Sequence, residues 1–152
     1  MIKAQIIDDD FSVANVLQFL IERHVPEINE LRIATSVAEA KNLILQFQPD
    51  LVFQDIIMPE MNGFEFLSRL EKINFDLIFT TAYNEYAIRA IRFSALDYLL
   101  KPINPLELRS AVDRFLKKRK QQLETNKLLK NLISNLEQKK ETAFRLAIPS
   151  ID

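Results

Sequence analysis

The sequence predicts an α/β fold, a doubly wound five-stranded parallel sheet with an extended C-terminal helix. Short apolar runs that end in polar residues alternate with helical patterns, and this alternation is typical of a parallel sheet covered on both faces. The predicted sheet and its helices occupy residues 1–120 of the 152-residue chain. The five runs are Ile2–Ile7, Leu31–Thr35, Leu51–Phe53, Leu77–Phe79 and Leu96–Leu100.

Five segments with apolar residues three and four positions apart follow the runs, as amphipathic helices require. Because crossovers between parallel strands are right-handed, few topologies remain for five such units, and we expect the flavodoxin-like strand order. The helical faces are Val13–Ile21, Ala40–Phe47, Phe64–Leu70, Ala87–Ile91 and the segment that begins at Pro105.

Two of these helices carry clear start signals. Ser36 and Glu39 have the spacing of a capping box, in which side chain and backbone satisfy each other's first-turn donors. Asn104, Pro105 and Glu107 supply an N-cap, a first-turn proline and a first-turn acid. A fifth helix is therefore predicted to start directly after the last strand.

Composition excludes several classes of protein. The chain has no cysteine and one histidine, so a disulfide framework and a multi-histidine metal site are both excluded. Its single glycine, Gly63, excludes a dinucleotide-binding glycine motif and a P-loop. No apolar run approaches the roughly 18 residues of a membrane span, and the N-terminus lacks signal-peptide features, so a cytoplasmic protein without a membrane partner is expected.

Charge divides the chain into two parts. Residues 1–100 carry eight basic and fifteen acidic side chains, a net charge of −7, whereas residues 101–152 carry a net charge of +6. An acidic body repels phosphate, so residues 1–100 are not expected to bind nucleic acid.

The sequence after residue 120 predicts a helical extension over residues 121–142. Leu129, Leu132 and Leu136 have a/d heptad spacing, in register with Leu108 and Phe115. Polar residues at intermediate positions interrupt the seam, so a weak coiled coil and a solvated linker are equally compatible with it. Alternating apolar residues over 143–148 predict a strand, and residues 143–152 are expected to begin a further domain.

Polar residues at four predicted strand ends supply a candidate site. Asp8 and Asp9 follow the first strand, Asp55 follows the third, Thr81 ends the fourth and Lys101 follows the fifth. Since the carboxyl ends of parallel strands share one edge of a sheet, these groups are expected to converge. Clustered carboxylates suit Mg²⁺, and a carboxylate beside a metal and an ammonium group suits phosphoryl transfer.

Each of these residues also has an ordinary structural interpretation. Asp10 is predicted to be the N-cap of the first helix, and Asp8 and Asp9 are also compatible with a turn. A lone Thr81 or Lys101 would be unremarkable. Asp55, in contrast, closes a buried strand and needs a partner there.

The same residues resemble the receiver domains of bacterial response regulators. The segment from Asp50 through Asp55 to Phe64 is similar to the phosphoacceptor segment of that family. Ile6–Asp10 resembles its acidic pair, Thr81-Ala82 its switch position and Lys101-Pro102 its lysine–proline pair. The segments Thr80–Ala87 and Ala95–Ile103 resemble the LytTR-type (LytR/AlgR-like) subgroup, and Arg145–Pro149 resembles the start of that subgroup's DNA-binding domain.

The resemblance implies a role for each site residue. Asp55 accepts a phosphoryl group from a sensor histidine kinase. Asp9 and Asp55 bind Mg²⁺ directly, Asp8 assists, and the backbone carbonyl of Ile57 completes the protein ligands. Lys101 pairs with the phosphoryl group.

The resemblance also implies how the signal leaves the site. Thr81 moves toward the phosphoryl group and Tyr98 changes rotamer. Homodimerisation is expected through the fourth helix, fifth strand and fifth helix or through the long last helix. DNA is expected to contact only a missing output domain. Gln54 replaces a commonly apolar family residue, and the sequence alone offers no account of it.

Two other functions remain open at this level. A Mg²⁺-dependent phosphatase with an aspartate nucleophile would use similar residues, but its D-x-D-x-T motif is absent here. A dimerising scaffold that needs no phosphate would use only the long helix, and would leave the acidic and switch residues unexplained.

Overall fold

The computed structural model describes residues 1–147 and confirms the predicted fold class. Five strands form one parallel sheet in the order β2-β1-β3-β4-β5. The elements are β1 Lys3–Ile7, α1 Phe11–His24, β2 Glu30–Ala34, α2 Val37–Phe47, β3 Leu51–Asp55, α3 Gly63–Ser68, β4 Asp76–Thr81, α4 Ala87–Arg92, β5 Asp97–Leu100 and α5 Pro105–Ala147.

Helices cover both faces of the sheet. On one face, Ile7, Val52 and Phe79 of the strands form a buried cluster with residues of α2, α3 and α4. Because strand side chains alternate between faces, the fully buried Ile6 and Phe53 point to the opposite face. The remaining helices, α1 and the first turns of α5, are left to cover that face.

The predicted helix starts are confirmed. The Ser36 hydroxyl accepts the Glu39 N–H, and the Asn104 side chain accepts the Leu106 N–H at 2.8 Å. These caps fix where α2 and α5 begin, and only four residues separate the end of β5 from the start of α5.

The chain divides into two units, Met1–Phe115 and the residues from Leu116 onward. The first contains the whole sheet and the first turns of α5. Within the second, the described residues continue α5 to Ala147.

The predicted strand over 143–148 is wrong for residues 143–147, which are helical; position 148 lies outside the described residues. The described residues of the second unit hold no strand that could receive the backbone hydrogen bonds of a strand here, whereas a helix satisfies those bonds internally. Local alternation of apolar residues therefore does not decide the structure of this segment.

Candidate functional site

Three carboxylates meet at the carboxyl edge of the central strands. Asp8 directly follows β1 and Asp55 ends β3, and the register pairs Ile7 with Gln54, so the two acids are level across the sheet. Asp8, Asp9 and Asp55 each offer an oxygen, and these oxygens lie within 4.8 Å of one another. Asp8 and Asp55 are buried, and Asp9 is exposed. The predicted convergence of these three residues is therefore present in the structure.

One ammonium group lies between two of the acids. The Nζ atom of Lys101 is 2.8 Å from Asp8 Oδ2 and 3.3 Å from Asp55 Oδ1. Its backbone N–H donates to the Thr81 carbonyl at 2.8 Å, which continues the pairing of β4 and β5 beyond the last strand residue. The peptide bond from Lys101 to Pro102 is cis. Sheet pairing thus places Lys101 at the carboxylate cluster.

The cluster holds three carboxylates and one ammonium group, so negative charge predominates. Burial, followed by the Asp8 charge, raises the pKa of Asp55 to about 7, despite the opposing effect of Lys101. Burial alone would lower the pKa of Lys101, but its hydrogen bond to Asp8 and the charge of Asp55 raise that pKa. One ammonium group therefore does not fully compensate the acids that surround it.

The donor set fits a hard divalent cation. All three clustered side chains offer carboxylate oxygens, and oxygen is the ligand atom that Mg²⁺ prefers. A cation there would offset the burial and the Asp8 charge that raise the Asp55 pKa. Ile57 lies two residues beyond Asp55, between β3 and α3. The contribution of its carbonyl stays a prediction.

The Asp10 side chain caps α1, and only its backbone contacts the carboxylate cluster. Its carboxylate accepts the Ser12 and Val13 N–H groups, at 3.0 and 3.2 Å, and caps α1. Its own N–H donates to Asp8 Oδ1 at 2.9 Å. The prediction that Asp10 is an N-cap is confirmed, and its N–H also helps to hold Asp8 in place.

The two predicted switch residues share one backbone neighbour. Thr81 is buried, and its hydroxyl oxygen accepts the Tyr83 N–H at 3.2 Å. The Tyr98 hydroxyl donates to the Tyr83 carbonyl. Thr80, adjacent to Thr81, pairs in register with Asp55. The chain therefore links the carboxylate edge to Tyr98 through Thr81 and Tyr83.

Gly63 is a residue whose role the sequence reasoning missed. A Cβ atom there would lie 2.5 Å from the Asp55 carbonyl oxygen and 3.3 Å from Ile56 Cα. No larger residue permits α3 to begin this close to the end of β3. The available signal was that the chain's single glycine lies eight residues after the candidate nucleophile.

The surface of α4, β5 and the first turns of α5 combines exposed apolar residues with compensated charges. Asp97 is paired with Arg114, and the Arg89 guanidinium lies 4.5 Å from the Phe64 ring centroid. Arg109 pairs with Glu27 and Asp113, which ties α5 to the segment after α1. The exposed apolar side chains on these elements are Ile88, Ile91, Leu100 and Leu106.

None of the described helices is both long enough and apolar enough to cross a bilayer.

The sequence is similar to that of known proteins over most of the chain. The response regulator receiver domain family matches residues 4–113. The sensory transduction protein LytT of Bacillus cereus is 32% identical over 98% of this chain and 59% of its own length. LytT of Bacillus subtilis is 31% identical over 82% of this chain and 52% of its own length. The chain thus spans about half the length of these curated relatives.

A solved structure shows the same fold. The crystal structure of a response regulator receiver domain protein (CheY-like) from Methanospirillum hungatei superposes with a TM-score of 0.69 at 25% identity. The match covers 80% of this chain and 98% of that one.

Proposed function

The chain belongs to the response regulator receiver domain family, and from that premise we propose that Asp55 accepts a phosphoryl group from a sensor histidine kinase. Members of this family are signalling phosphoacceptors. In our proposal the phosphorylated chain controls a LytTR-type DNA-binding output. The chain itself is not a turnover enzyme and dephosphorylates slowly at most.

The observation that carries this proposal is the position of Asp55. Its carboxylate is buried at a strand end, with Lys101 Nζ 3.3 Å away and two further acids beside it. In the proposed reaction one Asp55 oxygen attacks the phosphorus atom and the P–N bond to the kinase histidine breaks. The bonding electrons stay on the imidazole nitrogen, and Lys101 offsets charge on the transferred group.

Asp9, Asp55 and the Ile57 carbonyl are the proposed direct Mg²⁺ ligands, and Asp8 is proposed to assist through water. When bound, the cation would neutralise phosphoryl oxygens and keep the Asp55 carboxylate ionised. The chain's own contribution is to hold Asp8 through the Asp10 N–H and to place Asp55 at the end of a fully buried strand.

The proposed switch follows the contacts of Thr81. A phosphoryl group on Asp55 adds about −1.5 to −2 charges and strong acceptor oxygens. The Thr81 hydroxyl then donates to the phosphoryl group and shifts toward it. Because the Tyr83 N–H bonds to this hydroxyl and the Tyr83 carbonyl accepts from Tyr98, the shift favours a different Tyr98 rotamer.

The proposed readout is homodimerisation that controls transcription. The contact surface is formed by α4, β5 and α5 or by the long second part of α5. DNA contact belongs to the output domain alone. The names of the LytT relatives support the subgroup. The proposed division is a receiver domain over 1–120, an extension over 121–142 and the start of the output domain over 143–152, with α5 continuing across the second boundary to Ala147.

Intact-mass measurement tests the phosphoacceptor assignment. Wild-type chain incubated with acetyl phosphate and Mg²⁺ is expected to gain one phosphate, and Asp55→Asn none. Asp10→Asn is the matched control, since asparagine also caps helices, and it is expected to label like wild type. Equal labelling of wild type and Asp55→Asn would end the assignment of Asp55.

A further inference from the structure

Gln54 places an amide group in the centre of the sheet, directly before the proposed phosphoacceptor. The side chain is 0% exposed, and its strand neighbours in register are Ile7 and Phe79. Its Nε2 donates to the Asp55 carbonyl at 3.0 Å and to Met58 Sδ at 3.8 Å, and its Oε1 has no hydrogen-bond partner within residues 1–147. A buried, half-satisfied amide lowers stability relative to an apolar residue of similar size. Packing alone therefore gives no reason for glutamine here.

The Asp55 carbonyl, which accepts the Gln54 amide, lies where β3 ends and the loop over residues 56–62 begins. The Ile56 N–H donates to the Thr80 carbonyl of β4 at 3.1 Å, and the Gly63 N–H donates to the Ile56 carbonyl at 2.7 Å. The Asp55 carbonyl oxygen faces Gly63 so closely that a Cβ would lie 2.5 Å away. Both ends of the loop over residues 56–62 thus meet at the peptide unit that the Gln54 amide contacts.

We propose that Gln54 is a positioning residue that fixes the Asp55–Ile56 peptide unit and so orients the loop toward Mg²⁺. This inference rests on the proposed function, in which Asp55 and the Ile57 carbonyl are ligands. The Gln54 amide touches neither the cation nor the phosphoryl group. It acts through the backbone between the two ligand residues, as outer partners of metal ligands do.

Gln5 is a natural control within the same sheet. It is also 0% exposed, and its Nε2 also donates to a backbone carbonyl, that of Ala40 at 3.2 Å. Its Oε1 also lacks a hydrogen-bond partner in the part of the chain that the structure describes. Its carbonyl partner belongs to α2 and not to the segment that carries the proposed ligands. Replacing either glutamine with leucine removes the same buried group, but only one of the two changes affects the Asp55 backbone.

The test compares Gln54→Leu with Gln5→Leu in the full chain by calorimetric Mg²⁺ titration. Gln54→Leu is expected to weaken Mg²⁺ binding about tenfold, and Gln5→Leu less than twofold. Thermal unfolding in EDTA, measured on both, separates loss of stability from loss of affinity. If Gln54→Leu does not fold, Gln54→Met, which keeps an unbranched chain of similar length, replaces it.

Three outcomes overturn the inference. Unchanged Mg²⁺ affinity in Gln54→Leu excludes a positioning role. Equally weakened Mg²⁺ binding in Gln54→Leu and Gln5→Leu shows that loss of either buried amide lowers the affinity. Either of these results, with normal labelling of Asp55 in wild type, leaves the proposed function intact. A wild-type chain that neither binds Mg²⁺ nor labels at Asp55 overturns both the inference and the proposed function.

Discussion

The two parts of α5 use one heptad register in opposite ways. Leu108 and Phe115, in the first part, are at most 1% exposed and belong to the core of the Met1–Phe115 unit. Leu129, Leu132 and Leu136, in the same register of the second part, are each more than 50% exposed. The helix is therefore anchored by burial in its first part, while in the second the same stripe has no cover within the described chain.

The apolar side chains of the first part of α5 stabilise the fold, whereas those of the second part are exposed and available for association. Removing apolar area from water stabilises by roughly 25 cal/mol per Å², and the first part of α5 already gains this within one chain. The second part gains little of it, and isolated helices have marginal stability in water. Its exposed leucines therefore make a second copy the simplest source of further burial, since identical a/d stripes match each other.

The largest expected effect contrasts one truncation in each part of α5. Phe115→Ala is expected to lower the free energy of unfolding by about 3–5 kcal/mol, because it leaves a cavity in the core. Leu129→Ala is expected to change the unfolding of the single chain by less than about 0.5 kcal/mol. Urea denaturation at low protein concentration measures both. Similar losses in the two variants would contradict the comparison.

The next effect concerns charge that the first unit buries. The ordinary Asp55 pKa of 3.8 rises to about 7 in the folded chain, so between these values the folded state binds more protons than the unfolded state. Stability of the metal-free protein is therefore expected to fall as pH rises from about 4 to 7. Asp55→Asn removes this loss and is expected to stabilise the chain at pH 8 by about 2–4 kcal/mol.

Urea denaturation at pH 5 and pH 8 in EDTA measures this effect. Glu60→Gln, which changes an exposed acid in the loop after Asp55, is the matched control and is expected to keep the wild-type pH dependence. If the free energy of unfolding changes between pH 5 and pH 8 by the same amount in wild type and in Asp55→Asn, burial does not raise the Asp55 pKa.

Much of the fold and the carboxylate cluster followed from the sequence because strand ends share an edge in any parallel sheet. That rule alone places Asp8, Asp55 and Lys101 at one edge of the sheet. The contacts of Gln54 and Gly63 did not follow, because they depend on how closely α3 approaches β3. Residues 143–147 were wrongly predicted because the pattern of a short segment does not show whether a neighbouring strand exists.

The smallest expected effect decides what covers the exposed stripe of α5. Leu132→Lys places a charge on the stripe, and Ser134→Lys places the same charge elsewhere on the same helix. If the stripe binds a second copy, sedimentation is expected to show at least tenfold weaker association for Leu132→Lys, about 1.4 kcal/mol, and no change for Ser134→Lys.

Repeating the measurement with a phosphoryl mimic separates the two proposed dimer surfaces. Association that requires the mimic and is equally strong in wild type and Leu132→Lys would assign the contact to α4, β5 and the first turns of α5, where Ile88 and Ile91 are exposed. Association without the mimic that Leu132→Lys abolishes would assign it to the long helix. A wild-type monomer under both conditions would remove both surfaces and leave residues 121–142 as a solvated linker.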